Sequence, residues 1–245
     1  MTMVSVVTPT FNRGRFLPEA VASVLAQTHT DLELIIVDDG SVDDTRKVLE
    51  PYLADRRVRY FYQENRGQSH ARNLALEHAE GDVIAFLDSD DLWAPDKLEK
   101  QLAVLRVKPE VDIVHGDEAM IDEQGAVVSF ENMRRYSGRI TRRLLADNSV
   151  SITTALVRRR CFDEMGGFDT SVGVADDYEL WLRFSARYCF HYEPGIVASY
   201  RVMADQISSD KRRRFAANER IIREFLARYG EVLSSYGDFW CMEAG

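Results

Sequence analysis

Asp88-Ser89-Asp90-Asp91 sets three carboxylates within four residues, directly after the apolar run Val83-Ile84-Ala85-Phe86-Leu87. Carboxylates packed this closely repel one another unless a positive charge lies among them. Hard divalent cations such as Mg²⁺ and Mn²⁺ take oxygen ligands and are often shared with a substrate's phosphates. A metal-bound phosphate compound is the ligand that this segment implies. An acidic loop capping the helix that starts near Pro95 is the competing reading, because Asp is a good cap and turn former. Two more polar segments follow apolar runs in the same way: Pro9-Thr10-Phe11-Asn12-Arg13 and Asp38-Asp39-Gly40-Ser41.

The elements that must position these residues are visible as hydrophobic pattern. Val4 to Thr8 reads as a strand ending at Pro9, followed by strands over Leu32 to Val37, Val58 to Tyr62 and Val83 to Leu87. The unbroken apolar run Val83 to Leu87 fits a strand buried on both faces. Between the strands, Leu17, Ala20, Val21, Val24 and Leu25 fall at helical spacing, with Pro18 confined to the first turn. Further helices are predicted from about Asp43 to Leu53 and through Ala71 to Ala79, the latter after the polar loop Asn65 to Ser69. This alternation predicts an α/β fold with a mostly parallel sheet and helices on its faces. In such a sheet the carboxyl ends of the strands converge on one rim, where ligands bind.

After a helix from near Pro95 to Leu105 the rhythm changes. Val111 to His115 and Ile152 to Val157 read as strands, Ala126 to Phe130 as a hairpin arm, and Asp177 to Tyr188 as a helix. Phe190 to Val202 is expected to be extended but broken at Pro194-Gly195. Arg212 to Tyr229 carries Phe215, Ile221, Ile222, Phe225 and Leu226 at amphipathic-helix spacing. With no internal repeat or low-complexity linker, the two halves are expected to pack as one body.

Composition narrows the classes. The 245 residues include 31 basic and 40 acidic ones, a net charge of −9 that argues against nucleic acid as a partner. Basic runs at Arg134-Arg135, Arg139, Arg142-Arg143, Arg158-Arg159-Arg160 and Lys211-Arg212-Arg213-Arg214 leave peripheral contact with an anionic membrane, or an anionic acceptor, open. Cys161, Cys189 and Cys241 are few and widely spaced, which suggests neither a disulfide framework nor a zinc site. The strand pattern begins at Val4, leaving no room for a signal peptide, and no apolar stretch approaches the roughly 20 residues of a membrane span. A cytoplasmic location, with contact at the inner face of the membrane left open, is the expectation.

Taken in order, six segments resemble glycosyltransferase family two, the inverting nucleotide-sugar transferases of GT-A fold. They are Pro9 to Arg13, Val37-Asp-Asp-Gly-Ser-Val-Asp-Asp-Thr45, Asn65-Arg-Gly-Gln-Ser-His-Ala-Arg-Asn73, Asp88 to Asp91, Gly166-Gly167-Phe168-Asp169 and Asp176-Asp177-Tyr178-Glu179-Leu180-Trp181-Leu182-Arg183. The resemblance covers residues 4 to about 209. It implies a nucleotide-sugar-binding part over 1–105, an acceptor-binding and catalytic-base part of the same domain over 106–209, and a helical tail over 210–245.

The resemblance also implies roles. Asp39 hydrogen-bonds the nucleotide base; a carboxylate, being acceptor-only, suits the imide N–H of uracil or thymine and would suit guanine as well. Pro9, Thr10 and Asn12 line the base and ribose, and Arg72 sits near the diphosphate, where a guanidinium is well matched. Asp90 is the direct ligand of Mn²⁺ or Mg²⁺, Asp88 lies beside the ribose or the metal's waters, and Ser89 and Asp91 belong to the donor side. Asp177 is the base that takes the proton of the acceptor hydroxyl, from a glycan or lipid-linked glycan, with UDP- or dTDP-sugars favoured as donors. Gly166-Gly167 shapes the acceptor side.

Two departures from the family pattern stand out. Asp176 replaces the usual glutamate, which leaves open whether Asp176 or Asp177 is the base. A capping role for Asp177 would lower its pKa, whereas Asp176 and Glu179 beside it would raise it. In Tyr200-Arg201-Val202-Met203 a methionine stands where relatives carry a histidine metal ligand, and a thioether is a poor ligand for a hard cation. Arg201, Gln206 and Ser208 are placed in a loop over the donor. Two other classes remain as alternatives: a catalytically weak nucleotide-sugar-binding homologue, and a sugar nucleotidyltransferase, which would be expected to carry a Gly-rich basic loop after the first strand.

Overall fold

The computed structural model of the chain describes residues 2–130, 134–203 and 211–233. Its first half alternates as the pattern predicts: β1 (Val4–Thr10), α1 (Leu17–Leu25), β2 (Leu32–Asp38), α2 (Thr45–Leu49), β3 (Val58–Tyr62), α3 (Gln68–His78) and β4 (Val83–Phe86). All three of β1, β2 and β4 are buried at every position, as expected of strands with neighbours on both edges and helices on both faces. Pro18 lies in the first turn of α1, where its missing N–H has no helical partner to lose. The second half adds β5 (Leu92–Trp93), α4 (Lys97–Val107), β6 (Ile113–Ile121), β7 (Val127–Phe130), α5 (Thr141–Leu144), β8 (Leu156–Arg158), α6 (Arg160–Met165), α7 (Asp176–Ser185), β9 (Phe190–Arg201) and α8 (Lys211–Tyr229).

The strands form one sheet in the order β3-β2-β1-β4-β8-β6-β9-β5, with β7 paired to β6. The β3-β2-β1-β4 portion is parallel, whereas β8 runs antiparallel to both β4 and β6. β4 lies on the opposite side of β1 from β2, so the strand order reverses at β1 and opens a crevice at the carboxyl ends. Because side chains alternate along a strand, Val7, Ile35, Val37, Ile84 and Phe86 pack on one face with α3 and α7. Val6, Leu34, Ile36 and Ala85 pack on the other with α1 and α4.

Three expectations for the second half are corrected. The segment from Ile152 opens as a buried 3₁₀ turn, Ile152–Thr154, and only Leu156–Arg158 is strand. That turn aims the Thr153 carbonyl at Trp93 Nε1 (2.9 Å) and the Thr154 carbonyl at Gln101 Nε2 (2.7 Å), bonds that a straight strand would not present. Pro194-Gly195 does not break β9 but is absorbed as a bulge, since β9 advances from Tyr192 to Ile196 while β6 advances only from His115 to Asp117. Asp117 fastens the bulge, accepting from the Tyr192 hydroxyl (2.7 Å) and the Gly195 N–H (3.0 Å). Arg201 ends β9 with a fully buried side chain and so is not part of an open loop. Gln206, Ser208 and Cys241 lie outside the described residues.

Candidate active site

The ends of β1 and β2 are tied together before either meets a ligand. Pro9 lies beyond the last β1–β4 pair, Val7 with Phe86, where one flank of the strand is open and a missing donor is tolerated. Thr10 accepts from the Asp39 N–H at 2.8 Å. Asn12 adopts the left-handed region at φ 51°, which Asn enters more readily than most side chains. Its N–H donates to Ser41 Oγ (2.9 Å) and its Oδ1 accepts from the Val42 N–H (2.8 Å). The Thr10 hydroxyl is buried without a hydrogen-bond partner in the protein.

Asp38 and Asp39 divide the work of shaping the second loop. Asp38 accepts from the Ser41 N–H (2.8 Å) and the Tyr60 hydroxyl (2.9 Å). Asp39 accepts from Gln63 Nε2 (2.6 Å) and from the N–H groups of Arg66 (2.9 Å) and Gly67 (2.8 Å), so it draws the loop before α3 over the rim. Gly40 permits this approach: its φ is +86°, and a β-carbon there would lie 2.8 Å from the Asn65 nitrogen.

At the end of β4 negative charge is left partly uncompensated. Arg13 Nε lies 3.3 Å from Asp90 Oδ2, yet burial, then the charge of Asp88, push the Asp90 carboxyl up to about 6. Asp91 is fully buried; burial, with Asp90 and Asp88, raises its pKa well above the ordinary value. Its Oδ1 accepts from the Arg201 backbone N–H (2.9 Å), and its Oδ2 has no partner in the protein. The buried Arg201 guanidinium staples this loop in place, donating to the Asp90 carbonyl (2.8 Å), the Asp122 and Glu123 carbonyls (3.1 Å each) and Glu19 (2.8 Å). Ser89 is buried within the same turn, and Met203 is buried two residues past the staple.

Arg72 connects this cluster to the start of α7. Only 2% exposed, it donates from Nη2 to Asp88 (2.7 Å) and from Nη1 to Asp176 (2.8 Å), with its guanidinium carbon 5.3 Å from the Phe168 ring centre. Burial disfavours the cation, but Asp176 and Asp88 outweigh it and hold the group charged. Asp176 also accepts from Gln68 Nε2 (2.8 Å) and Ser69 Oγ (2.9 Å), which saturates both of its oxygens.

Asp177 is placed differently. It is partly exposed, and Asn148 Nδ2 donates to its Oδ2 at 3.1 Å. The residue before α7 is Ala175, in the left-handed region at φ 60°, which has no side-chain acceptor to offer. The first-turn N–H groups turn to the aspartates instead, Asp177 N–H donating to Asp176 Oδ1 (3.1 Å) and the Tyr178 backbone N–H helping to hold the Asp177 carboxyl down. Burial first, and Asp176 second, push the Asp177 carboxyl up to about 6 against the opposing pull of Arg72. The turn leading toward α7 is locked from two sides. Asn73 exchanges hydrogen bonds with the backbone of Phe168 (2.8 Å each), and Arg183 donates to the carbonyls of Met165 and Gly167 (2.6 Å each).

The structure thus gathers Asp88, Ser89, Asp90 and Asp91 at one strand end, with Pro9, Thr10, Asn12 and Asp39 on the neighbouring strand ends. Through Arg72 it joins the first group to Asp176, next to Asp177. Arg13, Gln68, Ser69, Asn148 and Arg201 were not anticipated as supports. Arg13 stood within a quoted motif, but Asn148 carries no sequence signal at all.

Comparison with known proteins identifies the family and the fold. The profile of Glycosyl transferase family 2 matches residues 5–166. An uncharacterized glycosyltransferase of Rickettsia felis is 34% identical over 186 residues, 76% of this chain and 31% of that protein. The chain spans about a third or less of the first curated relatives it matches. Among solved structures, Staphylococcus aureus TarS 1–349 in complex with UDP-GlcNAc superposes with a TM-score of 0.76 at 19% identity, covering 96% of this chain and 71% of that one. Mannosyltransferase PcManGT from Pyrobaculum calidifontis, in complex with GDP-Man and Mn²⁺, gives 0.67 at 22% identity over 98% and 76%. The fold is therefore GT-A.

Proposed function

This chain belongs to Glycosyl transferase family 2, and we propose that it moves a sugar from a nucleotide-diphospho-sugar to a hydroxyl of a glycan or lipid-linked glycan by a direct, inverting displacement. The observation that carries this reading is the buried Arg72 bridge, which couples the carboxylate rim at Asp88 to the Asp176-Asp177 pair. A leaving-group end and a base end are thereby held in one rigid unit.

Asp177 takes the proton from the acceptor hydroxyl as that oxygen attacks the anomeric carbon and the bond to the donor phosphate breaks. A carboxyl near 6 is charged at neutral pH yet basic enough to share a proton in the transition state. Asp176 cannot serve as readily, because its oxygens are occupied by Arg72, Gln68 and Ser69. Asn148 orients Asp177, and Arg72 keeps the neighbouring Asp176 charge neutralised.

On the donor side, Pro9, Thr10 and Asn12 line the base and ribose, and Asp39 faces the base with acceptor capacity beyond its three loop bonds. Neighbours of known structure hold UDP-GlcNAc and GDP-Man; a carboxylate can accept from the ring N–H of uracil, thymine or guanine, and UDP- or dTDP-sugars are the donors we favour. Asp91 and Ser89 support the sugar side from beneath, and Arg72 adds positive charge under the diphosphate. Asp90 and Asp88 would hold Mn²⁺ or Mg²⁺. Among the described residues no three acidic, His or Cys side chains enclose an ion by themselves. The raised pKa of Asp90 and the unpartnered Oδ2 of Asp91 nevertheless mark a place that a cation would relieve. Two carboxylates with diphosphate oxygens and water suit such an ion without a ligand from Met203. When bound, it would supply positive charge to the departing phosphates.

Thermal shift with UDP, dTDP and GDP, with and without Mn²⁺, tests this reading. One base is expected to raise the melting temperature by roughly 5–10 °C at a hundredfold excess over Kd, only with metal, and Asp90→Asn is expected to lose the effect. Absence of stabilisation by every nucleoside diphosphate would overturn it.

A further inference from the structure

The tail helix α8 carries a charge opposite to that of the rest of the chain. Lys211, Arg212, Arg213, Arg214, Arg220, Arg223 and Arg228 face only Glu219 and Glu224 within it, although the protein as a whole carries −9. A narrow seam attaches it: of its residues only Ile221 and Phe225 are buried, with Phe225 close to Tyr229 at 5.4 Å between rings. Two apolar side chains remain outside, Phe215 at 73% and Leu226 at 43% exposure. They are eleven residues apart, three helical turns, and so lie along one line of the surface. Arg212 and Arg223 have the same spacing, each three residues before one of these side chains, and so lie together on the border of that line away from the buried seam, with Glu219 between them. The pairs Arg220–Glu224 and Arg223–Glu219 are exposed, and such contacts hold an arginine only weakly.

We infer that this face of α8 docks on the surface of an anionic lipid bilayer, Phe215 and Leu226 entering the headgroup boundary beside Arg212 and Arg223. A helix with an apolar line bordered by arginines is the form that lies in such an interface. The same face on a second copy of the chain would bring like charges together, which disfavours α8-to-α8 pairing. Docking here has a geometric consequence for the site. Arg220 donates to the Ser171 carbonyl (3.3 Å) and hydroxyl (2.8 Å), so α8 is fastened to the loop that runs into Asp176 and Asp177. The base side of the site would then sit beside the bilayer, where a lipid-linked acceptor presents its hydroxyl. The inference deepens the lipid-linked-acceptor reading and rests on it for its purpose, whereas the binding itself is measurable with no acceptor present.

Sedimentation of the full chain with phosphatidylcholine vesicles, with and without phosphatidylglycerol, tests it. Binding is expected only with phosphatidylglycerol and should weaken as salt rises. Each basic residue at an anionic surface contributes about a fivefold factor, so Arg212→Gln with Arg223→Gln should weaken binding about 25-fold. Phe215→Ser with Leu226→Ser should weaken it at least about tenfold. Both double variants change exposed side chains and should keep their melting temperature and their nucleotide-dependent stabilisation. Equal binding to both vesicles, no binding at all, or variants that bind like wild type would overturn the inference. So would a concentration-dependent dimer that Phe215→Ser with Leu226→Ser abolishes, which would give the face to a second copy. If vesicles fail while nucleotide stabilisation persists, the docking inference falls alone; the reverse outcome removes only the donor reading.

Discussion

Two clusters of aspartates in this molecule are built from the same residue and treated in opposite ways. At the end of β4, Asp90 is half-buried and Asp91 fully buried with too little positive charge around them, and both carboxyls are raised. At the start of α7, Asp176 is matched by Arg72, Gln68 and Ser69, while burial and Asp176 itself push its neighbour Asp177 up to about 6. The first cluster stores repulsion that a cation and a diphosphate can relieve. The second uses one fully paired carboxylate to tune another. Partners, rather than residue type, assign the roles.

Breaking the second cluster at its titrating member has the largest expected effect. Asp177→Asn should lower kcat by about 10²–10⁴-fold while leaving nucleotide affinity unchanged, as transfer assays and calorimetric titration would read. Wild-type turnover in that variant would erase the division between the clusters. Cutting the connection between them comes next. Arg72→Met leaves Asp176 buried without its cation and Asp88 without its partner, and should cost about 3–5 kcal/mol of stability in denaturant titration. Arg72→Lys should not restore it, since a single ammonium does not span both carboxylates as the guanidinium does. A loss under about 1 kcal/mol would mean that other groups hold the two acids.

The difference between the clusters also explains what could be read from the chain alone. The β4 cluster is contiguous, and an apolar run ending in acids identifies both the strand and its rim. The parallel half of the sheet was legible for the same reason, since β1, β2 and β4 are short, predominantly apolar segments each followed by a polar rim. The α7 cluster depends on Arg72 meeting Asp176 across 104 residues, and on Asn148, which no local pattern distinguishes. Whether the Asp177 pKa would be lowered by a backbone bond at the helix start or raised turned on its burial, which outweighs that bond and which the residue type does not announce. In the antiparallel half, strands as short as Leu92–Trp93 and Leu156–Arg158 are defined by their neighbours rather than by their own periodicity. The bulge at Pro194-Gly195 was invisible for a related reason, because Asp117 supplies the bonds that make it tolerable.

The central claim is that Asp177, poised by burial and Asp176, takes the acceptor proton, and the acidic limb of kcat/KM in wild type and Asn148→Ala tests it most directly. Transfer requires the ionised carboxylate, so wild-type kcat/KM should level off above about pH 7, stand at about half its plateau near pH 6, and fall toward tenfold per unit below about pH 5. The Asn148 hydrogen bond favours the charged form and lowers the pKa, so its removal should move the limb to higher pH while the plateau changes only a few-fold. Coincident limbs in the two proteins, or a flat profile from pH 5 to 8 in wild type, would contradict the account and place proton removal elsewhere.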